Sequence, residues 1–257
     1  MLAVLSPAKS LDTVSPLPPV EASQPRFLDE AARLAKAAAR LSAPQLRKLM
    51  HISEPLAALN VARFKAFATP FTPDNARPAL YTFDGDVYAG LDAASLDAEA
   101  VAFAQGHLRI LSGLYGVLRP LDLMQPYRLE MGTSFGIGKA ETLYAVWGKR
   151  IAAALAQDMA DHADKTLVNL ASGEYFRAVD TKALPGRVLT IDFRDERGSA
   201  LRFNSFVAKK CRGAMARLIC EQQLESPASL QQAIVLGHRF DANRSSADHW
   251  LFVRQMD

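Results

Sequence analysis

The chain has 257 residues, 49% of them hydrophobic and 22% charged, with 30 Lys and Arg against 27 Asp and Glu. That composition supports a sizeable core and excludes a disordered chain, and the length fits one large domain or two small ones. A net charge of +3 excludes a histone-like polycation, so any polyanion site has to come from local clustering.

Leu2–Leu5 is apolar and stops at Ser6-Pro7, which predicts a short buried strand ending in a turn. The run is too short for a secretory leader, and no apolar run approaches the ~20 residues that span a bilayer. The expectation is a cytoplasmic protein with no membrane partner. Leu11–Pro25 holds four prolines and reads as an irregular excursion. Phe27, Ala31, Leu34, Ala38 and Leu41 then keep helical spacing. Ser42-x-x-Gln45 is a capping-box start, and Ser53-Glu54-Pro55 caps a further helix with Leu56, Leu59 and Phe67 inward. Thr72-Pro73 and Asp97-x-Glu99 start two more, the second running to Leu111. Leu143, Val146, Trp147, Ile151 and Leu155 predict one long helix.

The second half is richer in strand signals, at Thr166–Leu170, Arg187–Phe193, Ala200–Val207 and His249–Arg254. Residues 194–199 predict a hairpin turn in which Gly198 takes positive φ. Ala208–Gln223 returns to helix. Cys211 and Cys220, the two cysteines, lie nine residues apart on this helix and face opposite sides, so no disulfide is expected. The first strand should join the later ones. The fold class is therefore α/β, a single domain over residues 1–257 with a mixed central sheet surrounded by helices.

Five places could carry chemistry. Residues 197–220 hold Arg197, Arg202, Lys209, Lys210, Arg212 and Arg217 with no Asp or Glu, a pattern suited to phosphate backbone or to a solvated helix face. Residues 44–67 read as two short helices meeting at His51, Ile52 and Ser53. This is the shape of a helix-hairpin-helix, in which hairpin N–H groups hold a DNA phosphate, although His51 and Ser53 stand where the glycines would be. Ser112–Gly116 is a tight turn that would bring Arg119 and Arg128 to one surface, unless Asp122 partners one of them. Ser6-Pro7-Ala8-Lys9, at the end of the first strand, is placed for anion or substrate contact; the Ser-x-x-Lys chemistry of penicillin-binding enzymes lacks its Ser-Asp-Asn companion here. Residues 169–175 lead a strand into Ser172 and Tyr175. If that strand lies beside the first, Ser6, Lys9, Ser172 and Tyr175 share one crevice; the alternative is a capped helix with Tyr175 in the core. The five histidines show no metal-ligand spacing, and no phosphate-loop, dinucleotide or nucleophile-elbow motif occurs, so neither metal nor cofactor is expected.

The opening MLAVLSPAKSLD, the run RPLDLMQPYRLEMG and the later VNLASGEYF together closely resemble the YaaA family of bacterial proteins, from Met1 to about the last ten residues. Ser10 stands where the family usually has Thr. The resemblance implies an unusual fold likened to a cantaloupe slice, with a basic cleft and a helix-hairpin-helix-like element. It also implies protection against hydrogen peroxide, with DNA binding and limitation of free iron as the routes. The reading is thus a peroxide-stress protein binding double-stranded DNA with little sequence preference. Its phosphate contacts would be Lys9, Arg119, Arg128, Lys209, Lys210 and Arg212. The alternative is an uncharacterised enzyme with a pocket around Ser6, Lys9, Ser172 and Tyr175, and a third reading lowers iron through protein partners.

Overall fold

The apolar runs pair edge to edge, and the helix-period segments cover them. The computed structural model describes residues 1–198 and 200–256 of the chain. The first strand, β1 (Leu2–Leu5), is buried on both faces. Helices α1 (Leu28–Ala38), α2 (Ala43–Met50), α3 (Glu54–Ala66), α4 (Asp86–Leu91) and α5 (Ala98–His107) follow. The chain then re-enters the sheet as β2 (Leu108–Ser112) and β3 (Gly116–Leu118), and leaves it for α6 (Leu143–Trp147) and α7 (Arg150–Asp158). The remainder runs β4 (Leu167–Asn169), β5 (Val188–Arg197), β6 (Ala200–Arg202), α8 (Ser205–Glu221), β7 (Ile234–Val235), β8 (His238–Phe240) and β9 (His249–Met256).

Among the described residues, nine strands form one sheet in the order β7-β8-β9-β5-β4-β1-β2-β3, with β6 paired to β5. The five central strands β9, β5, β4, β1 and β2 are parallel; β3, β6, β7 and β8 are antiparallel additions. Parallel strands covered on both faces are near-continuous apolar runs, as LAVL and LRIL are. One hydrophobic cluster runs from β1 through the helices to β9, so the chain is a single α/β domain.

Local chemistry sets the element ends. Ser42 donates its N–H to Gln45 Oε1 at 2.8 Å, and Asp97 accepts from the Ala100 N–H at 2.8 Å, as capped starts require. Several expectations are corrected. The helix begun at Asp97 ends at His107, because Leu108–Ile110 pair with Ala3–Leu5 and tertiary pairing outweighs helix propensity. The long helix expected from Leu143 breaks at Gly148, which takes φ +47°. Thr72-Pro73 starts only a turn, in which Asn75 Oδ1 accepts the Thr72 N–H at 3.0 Å. In α3 the inward face is Ala57, Asn60 and Phe64, and Leu56 and Leu59 are exposed. The strand expected over 200–207 stops at Arg202, since Asn204 Oδ1 accepts from the Phe206 and Val207 N–H groups and starts α8. The turn expected over 194–199 is shorter, because residues 194–197 continue β5 and pair with β6 or β9; Gly198 does take positive φ, and Ser199 lies outside the described residues. Cys211 and Cys220 are both buried and unpaired, and burial pushes each thiol up to about 12.

Candidate functional site

β1 connects onward to β2 on one side of it, whereas β4, on its other side, connects onward to β5. The carboxyl ends of β1 and β4 therefore flank the point where the sheet changes winding direction, the place where open parallel sheets bind ligands. Ser6 follows β1 and Ser172 follows β4. Asn169 Oδ1 accepts the Ala171 N–H at 2.9 Å and bends the chain after β4. The Ser172 N–H then donates to Ser6 Oγ at 2.9 Å, and Ser6 Oγ donates to Ser172 Oγ at 3.3 Å. Tyr88, from α4, donates its hydroxyl to the Ser6 carbonyl at 3.1 Å.

These two serines stand on the wall of a cavity of about 460 Å³ that Lys9, Tyr175, Lys209 and Arg212 also line. The crevice expected of Ser6, Lys9, Ser172 and Tyr175 thus exists, and it draws in two cations from the basic run. They arrive because α8 crosses α4 backbone to backbone. A Cβ on Gly90 would sit 2.0 Å from the Lys210 carbonyl oxygen, and one on Gly213 1.7 Å from that of Val87. Only glycine permits that approach. It leaves Lys209 Nζ 3.8 Å from Asp86.

The electrostatics rest on shared carboxylates. Glu130 Oε1 takes Lys9 Nζ at 3.4 Å and Arg128 Nη2 at 3.0 Å, while its buried Oε2 has no partner among the described residues. Asp192, on β5, takes Arg212 at 3.7 Å, Arg194 at 3.4 Å and His249 at 3.2 Å. Arg212 is mostly buried, burial lowers its pKa, and its Nε has no partner among the described residues. Burial also raises the Tyr175 phenol far above its ordinary value, so Tyr175 stays protonated at neutral pH. Among the described residues, the hydrogen bonds of the Ser6 hydroxyl all go to Ser172, and no side-chain base takes its proton. The arrangement is suited to holding a ligand and not to generating a serine nucleophile.

The remaining cations separate from this group. Arg119 is tied to the buried Asp122, with Nη2 at 2.9 Å and Nε at 3.0 Å, so it neutralises that carboxylate and shares no partner with Arg128. Arg109 is buried against Asp158 at 2.7 Å. Arg217 is held by Asp92 and Glu221. Lys210 is exposed and has no ion pair among the described residues.

A second concavity, of about 480 Å³, lies at the α2–α3 corner and is lined by Arg47, Lys48, His51, Ile52 and Glu54. His51 takes the left-handed conformation (φ 51°, ψ 48°), Ile52 is buried under the turn, and Ser53 is extended at the N-cap of α3. His51 thus adopts the backbone conformation that a glycine would ordinarily supply. Arg47 and Lys48 have no ion pairs among the described residues. Sequence reasoning missed both, and also missed Glu130 and Asp192; α2 repeats a basic pair at its last turn, which was the available signal.

A family model described as "Peroxide stress protein YaaA" matches residues 1–244. A UPF0246 protein of Idiomarina loihiensis is 52% identical over 254 residues, covering 99% of this chain and 98% of its own. Another, from Rhizorhabdus wittichii, is 51% identical, covering 99% of each chain. One from Alteromonas mediterranea is 49% identical over 257 residues, 100% of this chain and 99% of that one.

Proposed function

The chain belongs to the peroxide stress protein YaaA family, and from that premise we propose that it acts under peroxide stress by binding duplex DNA, without strong sequence preference, at the α2–α3 corner. The observation that carries this is the groove at that corner. Arg47 and Lys48, free of carboxylate partners among the described residues, flank a left-handed hairpin that precedes the amino end of the 13-residue α3. Unpaired Lys and Arg beside a helix N-terminus suit a phosphate, which gains both the cations and the oriented N–H groups. The pairing of two helices by His51, Ile52 and Ser53 is read as a helix-hairpin-helix in which His51 stands in for glycine. Lys210 is a further candidate phosphate contact. Arg119 and Arg128 keep structural partners, and Lys9, Lys209 and Arg212 face the cavity instead. Limitation of free iron, in this proposal, follows from DNA or protein partners and not from a resident iron site.

Phosphate contacts release counterions, so affinity falls with a log–log salt slope near −0.9 per contact. Labelled duplexes of unrelated sequence, titrated at several salt concentrations, should bind alike and follow that law. The double variant Arg47→Ala, Lys48→Ala should lose about two contacts and flatten the slope by about 1.8. A flat salt response in the parent, or a double variant that binds as the parent does, overturns the proposal.

A further inference from the structure

The cavity between the ends of β1 and β4 has a lining that a duplex backbone does not explain. Its charges come in both signs. Lys9, Lys209 and Arg212 stand on its wall with the Ser6–Ser172 hydroxyl pair, and so do three carboxylates, Asp84, Glu174 and the Asp86 that pairs with Lys209. Cations and hydroxyls suit a phosphate. The carboxylates accept only, and would repel a bare phosphate. They suit a ligand that carries hydroxyl or amino donors beside its anionic group. The lining also includes the apolar side chains of Pro7, Ala8, Val87 and Leu170, the kind of surface that suits a flat ring.

We propose that this cavity is a binding site for a nucleoside monophosphate. Its phosphate meets the serine hydroxyls and the cations, its sugar hydroxyls or base amino groups meet Asp84 and Glu174, and its base lies on the apolar wall. A sugar phosphate supplies the first two sets of contacts but not the third. The volume of about 460 Å³ falls within the range of small-ligand sites. The position agrees with the rule that open parallel sheets bind ligands outside their carboxyl ends at the change of winding. The inference goes beyond DNA binding and does not depend on it, since no residue of the α2–α3 groove lines this cavity.

Calorimetric titration of the full chain at low ionic strength tests it. The probes are adenosine and thymidine 5′-monophosphates, the matching unphosphorylated nucleosides, and ribose 5-phosphate. At least one monophosphate should bind saturably, and its nucleoside and ribose 5-phosphate should bind at least tenfold more weakly. Arg212→Gln and Lys9→Gln should each weaken the monophosphate at least fivefold. Lys9 is largely exposed, so its variant keeps the test valid if loss of the buried Arg212 upsets folding. No saturable binding of either monophosphate overturns the proposal, and so does equal affinity for ribose 5-phosphate. Unchanged affinity in Lys9→Gln together with any folded Arg212→Gln protein does the same. The Arg47→Ala, Lys48→Ala variant should retain full nucleotide affinity, which keeps this result separable from failure of the DNA proposal.

Discussion

Replacing Gly213 with alanine should drive α4 and α8 apart and disturb the basic wall of the cavity. The added methyl group would lie 1.7 Å from the Val87 carbonyl oxygen and 2.8 Å from the Leu91 nitrogen. Ordinary contacts between heavy atoms begin at roughly 3.5 Å, so the helices must retreat by roughly 1.5–2 Å at this point. Overpacking a close-packed interior costs about 1–3 kcal/mol, and two facing backbones cannot yield as side chains do. At the upper end of that range, which unyielding backbones select, alanine's better helix propensity returns about 1 kcal/mol and leaves a net loss of about 2 kcal/mol. With a urea slope of about 3 kcal/mol/M, the unfolding midpoint should fall by ~0.7 M. Gly106→Ala in α5 is the control. Nothing lies within 4 Å of its added carbon, so propensity alone should act and stabilise by about 0.5–1 kcal/mol. An unchanged or higher midpoint for Gly213→Ala, or a lower one for Gly106→Ala, would refute the backbone contact and with it the account of how Lys209 and Arg212 reach the cavity.

Two further outcomes are expected. Burial lowers the imidazoles of His107, His162 and His238 below their ordinary value, and the first two stack with centroids 4.5 Å apart. The unfolded chain then takes up protons before the folded one, so stability is complete above about pH 6.5 and declines as pH falls below it. Melting temperatures across that range should show the decline, and His107→Gln with His162→Gln should make it shallower; an unchanged pH dependence would count against the burial argument. His51→Gly should stabilise the α2–α3 corner by up to about 1 kcal/mol, because a left-handed side chain costs about 1–2 kcal/mol and glycine's extra freedom when unfolded takes back part of that. A fall in melting temperature would show instead that the imidazole itself supports the turn.

Much of the frame was legible because it is local. The apolar run Leu2–Leu5, the Ser42 and Asp97 starts and the glycine at 198 are set by neighbours a few residues away, and each appears where the pattern places it. The errors fall where distant groups decide. Leu108–Ser112 carries an apolar pattern that helix and strand both accept, and only β1 alongside selects the strand. Leu56 and Leu59 look like a core face, yet the packing of α3 turns Ala57, Asn60 and Phe64 inward. The crevice formed by Ser6 and Ser172 was legible only conditionally, because it required β1 and β4 to be neighbours, and that is a property of the sheet order.

The basic run shows why a charge pattern in sequence is weak evidence for a charged surface. Residues 197–220 contain no acidic side chain, which suggests cations free to meet a polyanion. In space, carboxylates from other segments reach three of them: Asp86 pairs with Lys209, Asp192 with Arg212, and Asp92 with Arg217. The consequence for the surface is electrostatic: these carboxylates lower the field that a DNA backbone would meet at α8. Arg47 and Lys48 have Glu54 nearby in the corner groove but no ion pair among the described residues. The stronger outward field should therefore lie at α2, which drew less notice in the sequence because its basic cluster is smaller. Two α8 cations, Lys209 and Arg212, instead line the cavity beside two serines, a setting that suits one compact anion better than a long one. This division of cations between an outer groove and an inner cavity is why the proposed DNA site and the proposed nucleotide site are placed apart.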